Sequence, residues 1–192
     1  MMTIEQITEK LKATLKPNRF EHSISVAHTA VHLAKIYGAD TNKAYLAGLL
    51  HDCAKNMSYK EHLEYIQKHS ILLSDDELKS PGLLHSFVGA YLARDVYGID
   101  DAEIFDAIYY HTIGKKAMPV LTKIIYLADG IEPLRSYPGA DDIRAMADKD
   151  IDKAVVMYTD TTMIYVISKR EYMHPSAVET RNYYIRKISD SK

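Results

Sequence analysis

The stretch Gly48-Leu49-Leu50-His51-Asp52-Cys53-Ala54-Lys55 sets an imidazole beside a carboxylate at the end of an apolar helical run, with an ammonium three residues later. Imidazole nitrogen and carboxylate oxygen bind first-row cations, and an ammonium attracts anions, so the stretch has the parts to hold a cation next to an anion. A buried His beside a capping Asp is also a common structural device. The dyad therefore gains meaning only from what the other chemistry-bearing residues offer it.

The chain has nine histidines, more than a helical core needs as filler. His22 shares its helical face with Val26, Thr29 and Leu33, an inward and mostly apolar face. His28 and His32 have metal-pair spacing, but at roughly 100° per residue they lie about 120° and 80° round the helix from His22, and a surface or packing role is expected for both. His62 and His69 fall in the polar run KEHLEYIQKH and are expected in solvent. His85 begins a helix beside Val88, Gly89 and Leu92, while His111 ends the helix that carries Phe105, Ala107 and Ile108. Asp129 closes the apolar run Ile124-Ile125-Tyr126-Leu127-Ala128, where burial without a cationic neighbour is costly. Helical bundles build metal sites from inward side chains on facing helices, so one shared centre accounts for His22, His51, Asp52, His85, His111 and Asp129.

The elements that must position these residues are helices. Capping pairs mark their starts: Thr3 with Gln6, Asn18 with Glu21, Ser58 with Glu61, Ser74 with Glu77 and Asp100 with Glu103, with Thr41 as a further cap. Pro119 and Pro175 suit first turns, and Gly38 and Gly98 suit left-handed helix ends. The marks predict helices near 3–15, 19–37, 42–53, 59–69, 75–80, 83–97, 101–111, 119–131, 141–147, 150–169 and 175–188, with no competing strand pair. The 150–169 segment is rich in β-branched residues, yet apolar positions 151, 154, 155, 158, 162, 165 and 166 keep the helical period. The fold class expected is an all-α bundle of about ten helices.

With 192 residues, 47% of them hydrophobic, and only 8 Gly and 6 Pro, the chain can bury a sizeable core and shows no linker, so one domain over 1–192 is expected. A net charge of −2 supplies no basic field for a nucleic-acid backbone. MMTIEQITEK has no basic region followed by an apolar core, and no run is apolar enough to span a bilayer. The expectation is a cytoplasmic protein with no nucleic-acid or membrane partner. The single cysteine, Cys53, rules out an internal disulfide and a Cys-rich zinc site, leaving nitrogen and oxygen as metal ligands. Cys53 itself reads as a small buried residue.

The ordered set His22, His51-Asp52 and Asp129 resembles the HD-domain metal-dependent phosphohydrolases. Longer strings narrow the resemblance: Arg19-Phe20-Glu21-His22-Ser23, Leu50 to Lys55, Leu84-His85, His111-Thr112-Ile113-Gly114, Ala128-Asp129-Gly130-Ile131-Glu132-Pro133-Leu134-Arg135, His174-Pro175 and Arg181-Asn182. Together they are similar to the YqeK-type bacterial HD hydrolases, which cleave diadenosine tetraphosphate symmetrically to two ADP. That resemblance implies an iron centre with His22, His51, Asp52 and Asp129 as ligands. It gives His85 and His111 to the substrate phosphates or to a second metal. Thr112 and Arg135 would contact phosphates, and the loop around Met173-His174-Pro175 would approach the nucleotide. Gly130 departs from the pattern and is expected to loosen the helix end.

Such a reaction needs a nucleophilic hydroxide at neutral pH, and metal coordination lowers the pKa of bound water from ~15.7 towards ~7. No Ser or Cys nucleophile is required. Catalysis then falls to His51, Asp52 and Asp129, and the substrate would meet His22, Asp52, Lys55, His85, His111, Thr112, Asp129, Arg135 and His174. Lys55 and Arg135 are assigned to phosphate charge, with a solvated surface role as the alternative for Lys55; Lys115 and Lys116 read as solvent-facing. The ligand types suit iron, manganese or zinc, as one or two ions, with Asp52 the bridge if there are two. The expected partner is a small nucleotide, with a homodimer as one option. Rival readings are an HD phosphohydrolase for a nucleoside monophosphate, cyclic dinucleotide or alarmone, and a non-catalytic nucleotide sensor. Among Tyr172, Tyr183 and Tyr184, none is singled out to stack on a base.

Overall fold

Local side chains set three helix starts where capping pairs in the sequence mark them. Thr3, Ser58 and Ser74 each accept from the backbone N–H three residues on, and Gln6, Glu61 and Glu77 return the bond to the cap backbone. The computed structural model describes residues 2–190, and among these it forms eleven α-helices and no strand. They are α1 (Ile4–Thr14), α2 (Pro17–Tyr37), α3 (Thr41–Leu50), α4 (Tyr59–Lys68), α5 (Asp75–Leu78), α6 (Leu84–Asp95), α7 (Ala102–Tyr110), α8 (Val120–Ile131), α9 (Ala140–Ala147), α10 (Ile151–Lys169) and α11 (Pro175–Asp190), with a 3-10 turn at Pro81–Leu83.

Four starts differ from the expected ones. Pro17 opens α2 two residues early, so Asn18 is already helical and makes no cap with Glu21. Asp40 rather than Thr41 caps α3, accepting from the N–H groups of Asn42 and Lys43. Asp101 rather than Asp100 caps α7. Adjacent polar residues offer the same cap chemistry, and the one whose backbone is extended takes the role. Pro119 stands just outside α8 as its N-cap. Gly38 ends α2 in the left-handed region as expected, whereas Gly98 lies beyond the Val96 cap of α6.

The core runs between α2, α3, α7 and α8. Val26, Ala27, Ala30, Leu33 and Ala34 of α2 face Ala44, Ala47, Leu49 and Leu50 of α3 and the fully buried Ile124–Ala128 run of α8. Close backbone approach explains Gly48, because a Cβ there would stand 2.7 Å from Ala27 Cα. The β-branched segment of α10 is one helix, as its period predicts. Only its first half enters the core: Ile151, Ala154 and Val155 are buried, while Ile164, Tyr165 and Ile167 are exposed. Of the described residues, no helix is long and apolar enough to cross a membrane.

Two expectations are overturned by packing. His62 is buried, not solvent-exposed, with Nε2 donating to the Ala54 carbonyl at 3.1 Å, because α4 folds back over the turn that follows α3. His69 does stay exposed, stacked on Tyr65. Gly130 does not loosen its helix: α8 continues to Ile131, and a Cβ on Gly130 would meet the Tyr158 ring of α10 at 2.1 Å. The glycine is a packing requirement.

Gly130→Ala should therefore lower stability by about 1–3 kcal/mol through overpacking, read as a lower urea midpoint at unchanged m-value. Adding Tyr158→Leu should recover part of that loss, whereas a glycine needed only for backbone freedom would show no recovery.

Candidate metal centre

Three helix ends aim an imidazole at one point. His51 caps the C-terminus of α3, His111 that of α7, and His85 sits in the first turn of α6. In each, Nδ1 lies against the carbonyl three residues earlier: Gly48 at 2.7 Å, Ile108 at 2.7 Å and Gly82 at 2.9 Å. A carbonyl only accepts, so each Nδ1 carries a proton and, in the neutral ring, Nε2 keeps its lone pair. His22 is different. It lies inside α2, and its Nδ1 is 3.0 Å from Oε1 of Glu132, just past the end of α8.

The free nitrogens converge on two carboxylates. His22 Nε2 lies 3.3 Å from His51 Nε2 and 3.0 Å from Asp129 Oδ1. His51 Nε2 is 3.7 Å from Asp129 Oδ1 and 3.4 Å from Asp52 Oδ2. The other oxygen of Asp52, Oδ1, faces His85 Nε2 at 3.2 Å and His111 Nε2 at 3.8 Å. The ring centres follow one another at 5.1, 5.0 and 5.3 Å in the order His22, His51, His111, His85. All six residues that the helical faces suggested are thus together, and His28 and His32 are not among them; His32 pairs with Asp148 near the surface instead.

Cations ring this cluster. Arg19 Nη1 is 2.6 Å from Asp52 Oδ2, and Arg135 Nη2 is 2.7 Å from Asp129 Oδ1 with Nε donating to the Asp129 carbonyl. Lys55 is no free surface cation: its Nζ lies 3.0 Å from His85 Nε2. Lys115 is also paired, with Asp106, at the rim of its loop. Beside the cluster a cavity of about 400 Å³ is lined by Gly82, Leu83, Thr112, Met163, Tyr172 and His174. Thr112 Oγ1 is 3.0 Å from the Ser86 hydroxyl, and His174 Nδ1 accepts from the Ser176 N–H, which leaves its buried Nε2 without a protein partner. Of the tyrosines left undecided, Tyr172 lines the cavity and Tyr184 is core.

Burial alone would raise the Asp52 carboxyl, but the surrounding imidazoles, His51 foremost and then His111 and His85, outweigh it and hold the group well below the carboxylate range. Asp129 is treated alike: burial opposes ionisation, and the neighbouring His22 and His51 imidazoles overcome it. Burial pushes His85 down to about 4 despite the Asp52 carboxylate beside it, so it is neutral near pH 7. Burial also lowers Lys55. The same effect raises the Cys53 thiol, which fits an inert buried residue.

These donors fit a divalent ion. Ligand atoms of His22, His51 and Asp129 lie within 4.8 Å of one another, as do those of His51, Asp52 and His111. His111 Nε2 is buried with no hydrogen-bond partner, an orphan that ligation would satisfy. His85 stands apart from both sets, tied to Asp52 and Lys55. Three residues of the cluster carried no assigned role in the sequence reading: Arg19, Glu132 and Ser25, whose Oγ donates to Glu132 Oε2 at 2.6 Å. Arg19 precedes His22 by one helical turn and Glu132 follows Asp129 by three residues, which is the only local signal they give.

Residues 19–134 match the family model of the HD domain, and the chain belongs to the HD-domain family. Divalent-metal binding goes with that domain, and the histidine and aspartate cluster has the ligands for it. The chain is 36% identical over 187 residues to the symmetrical bis(5'-nucleosyl)-tetraphosphatase of Bacillus subtilis (strain 168), covering 96% of this chain and 98% of that one. It is 38% identical over 176 residues to the protein of the same name from Halalkalibacterium halodurans, with 90% and 91% covered. A crystal structure from Clostridium acetobutylicum, described as a predicted HD superfamily hydrolase involved in NAD metabolism, superposes with TM-score 0.94 at 42% identity over 97% of this chain and 99% of that one.

The His85 shift has a consequence for stability. With a folded pKa of about 4 against a usual 6.5, the unfolded chain binds this proton first as pH falls. The contribution of His85 is therefore whole above pH ~6.5 and is lost on acidification towards pH ~4, by roughly 3 kcal/mol for a shift of this size. Urea titrations of chelator-treated protein across that window should show the decline, and His85→Asn should flatten it.

Proposed function

We propose that this chain hydrolyses diadenosine tetraphosphate symmetrically, adding one water across the central phosphoanhydride to give two ADP. The observation that carries this reading is the meeting of a largely buried four-histidine, two-carboxylate cluster with three cations and an adjoining nucleotide-sized cavity. The names of the full-length relatives support it. His22, His51, Asp52 and Asp129 would hold the metal, with His111 and His85 nearest a second one; Asp52, whose two oxygens face different histidine pairs, suits a bridge. Bound there, the ion supplies Lewis acidity to a phosphoryl oxygen and lowers the pKa of water.

The protein's own groups do the rest. Arg19, Lys55 and Arg135 offset phosphate charge, and each now rests on a carboxylate or imidazole that a phosphate or a metal would relieve. Thr112, which lines the cavity with its hydroxyl 3.0 Å from that of the buried Ser86, is assigned to phosphate. His174 lines the cavity, and its Nε2, which has no protein partner, is assigned as a donor for the nucleoside end. His51, Asp52 and Asp129 are the catalytic residues because they hold the ion and the water's surroundings. Iron is the metal we favour, with manganese or zinc as alternatives. We read residues 1–192 as one domain of a cytoplasmic enzyme without nucleic-acid or membrane partners, with a homodimer as an open option.

Metal-loaded protein given diadenosine tetraphosphate should yield ADP alone; AMP with ATP would oppose the reading, and turnover of a cyclic dinucleotide or nucleoside monophosphate instead would favour the rival HD activities. His51→Ala should lose both bound metal and hydrolysis while its helical circular dichroism stays near wild type. Arg135→Ala should raise KM roughly tenfold, the worth of one charged hydrogen bond of ~1.5–3 kcal/mol, without emptying the metal site. Unchanged kinetics in that variant would remove Arg135 from the pocket.

A further inference from the structure

Of the four clustered histidines, three have their proton placed by backbone. His51, His85 and His111 stand at helix ends, where each reaches the carbonyl three residues back. His22 cannot use that device. It sits mid-helix, where backbone carbonyls are already committed to the helical ladder, and its Nδ1 meets a side chain 110 residues away instead.

That side chain is Glu132, only 1% exposed. Its Oε1 takes the His22 Nδ1 bond at 3.0 Å, while Oε2 receives two donors, the Ser25 hydroxyl at 2.6 Å and the Leu134 N–H at 2.7 Å. Arg144 of α9 fixes the backbone of this turn, donating to the Ile131 carbonyl at 2.5 Å and the Glu132 carbonyl at 3.0 Å. A buried carboxylate with this many donors is an acceptor held in place on every side.

We propose that Glu132 is a positioning residue of the metal centre: by accepting from His22 Nδ1 it keeps the proton off Nε2, the nitrogen that faces His51 and Asp129. The inference rests on the reading of this cluster as a metal site, but not on which nucleotide is cleaved. A carboxylate behind a ligating imidazole fixes its tautomer, orients the ring and raises its basicity. No backbone carbonyl substitutes for Glu132 at His22.

The proposal makes an unusual demand of the isosteric variant. In Glu132→Gln the two donors from Ser25 and Leu134 claim the amide oxygen, so the amide NH₂ turns towards His22. Nδ1 must then accept, the proton moves to Nε2, and ligation is blocked. In Glu132→Ala, water can fill the space and accept from Nδ1, leaving the tautomer free. Metal affinity and fold stability are therefore expected to rank the two variants in opposite orders.

The test uses the full-length protein. Zinc binding is measured by chelator competition, and urea unfolding is measured on the metal-free protein. Glu132→Gln should weaken zinc binding about 10–100-fold with little change in unfolding midpoint, and Glu132→Ala should lose more stability but no more zinc affinity than Glu132→Gln. His32→Ala, at a surface residue outside the cluster, should bind zinc within about threefold of wild type. Wild-type zinc affinity in Glu132→Gln would overturn the proposal, as would a far larger affinity loss in Glu132→Ala that followed its loss of stability. Should the wild-type protein make no ADP from diadenosine tetraphosphate while these zinc results hold, the substrate reading fails and the role of Glu132 stands.

Discussion

Two carboxylates in one cluster, Asp52 buried and Asp129 half-buried, are the constraint on which the rest of this structure depends. Asp52 and Asp129 share the neighbours His22 and His51, and removing one partner from a buried charge typically costs 3–5 kcal/mol. Their charge is sustained only because imidazole and guanidinium groups arrive from five separate parts of the chain. Arg19 and His22 come from α2, His51 from the end of α3, His85 and His111 from α6 and α7, and Arg135 from beyond α8. A bound divalent ion answers the same electrostatic demand from the centre outwards.

The bundle meets that demand by placing histidines where helices stop. A helix end frees carbonyls, and His51 and His111 each use one to settle the position of their own proton. The apolar run of α8 anchors the cluster from below: Ile124–Ala128 is fully buried, and Gly130 lets α10 approach so closely that Tyr158 fills the space a side chain would need. Packing in α8 therefore fixes where Asp129 and Glu132 stand relative to His22. Fold and site share one set of contacts.

The residues legible in the sequence were those with a periodic context. His22, His51, His85, His111 and Asp129 each adjoin an apolar helical face, and the angle between residues was enough to separate His28 and His32 from them. Helix bounds are legible because capping pairs are local; at 41 and 100 an adjacent Asp takes the role, while α2 opens at Pro17 with no side-chain cap. Glu132 and Arg19 carry no local sign of their task, since a single Glu past a helix end looks the same whether it faces solvent or a histidine 110 residues earlier. His62 failed for a related reason: its neighbours in sequence are polar, and only the turn at Ala54 makes its position interior. The local and the periodic can be read from one chain, whereas a partner distant in sequence requires the fold.

The central claim is that the four imidazoles and two carboxylates form a metal centre, and anomalous X-ray scattering from metal-loaded crystals tests it most directly. The account predicts an ion about 2.0–2.2 Å from Nε2 of His22 and His51 and from carboxylate oxygens of Asp52 and Asp129. A saturated protein whose anomalous peak lay elsewhere, with this cluster empty, would contradict it.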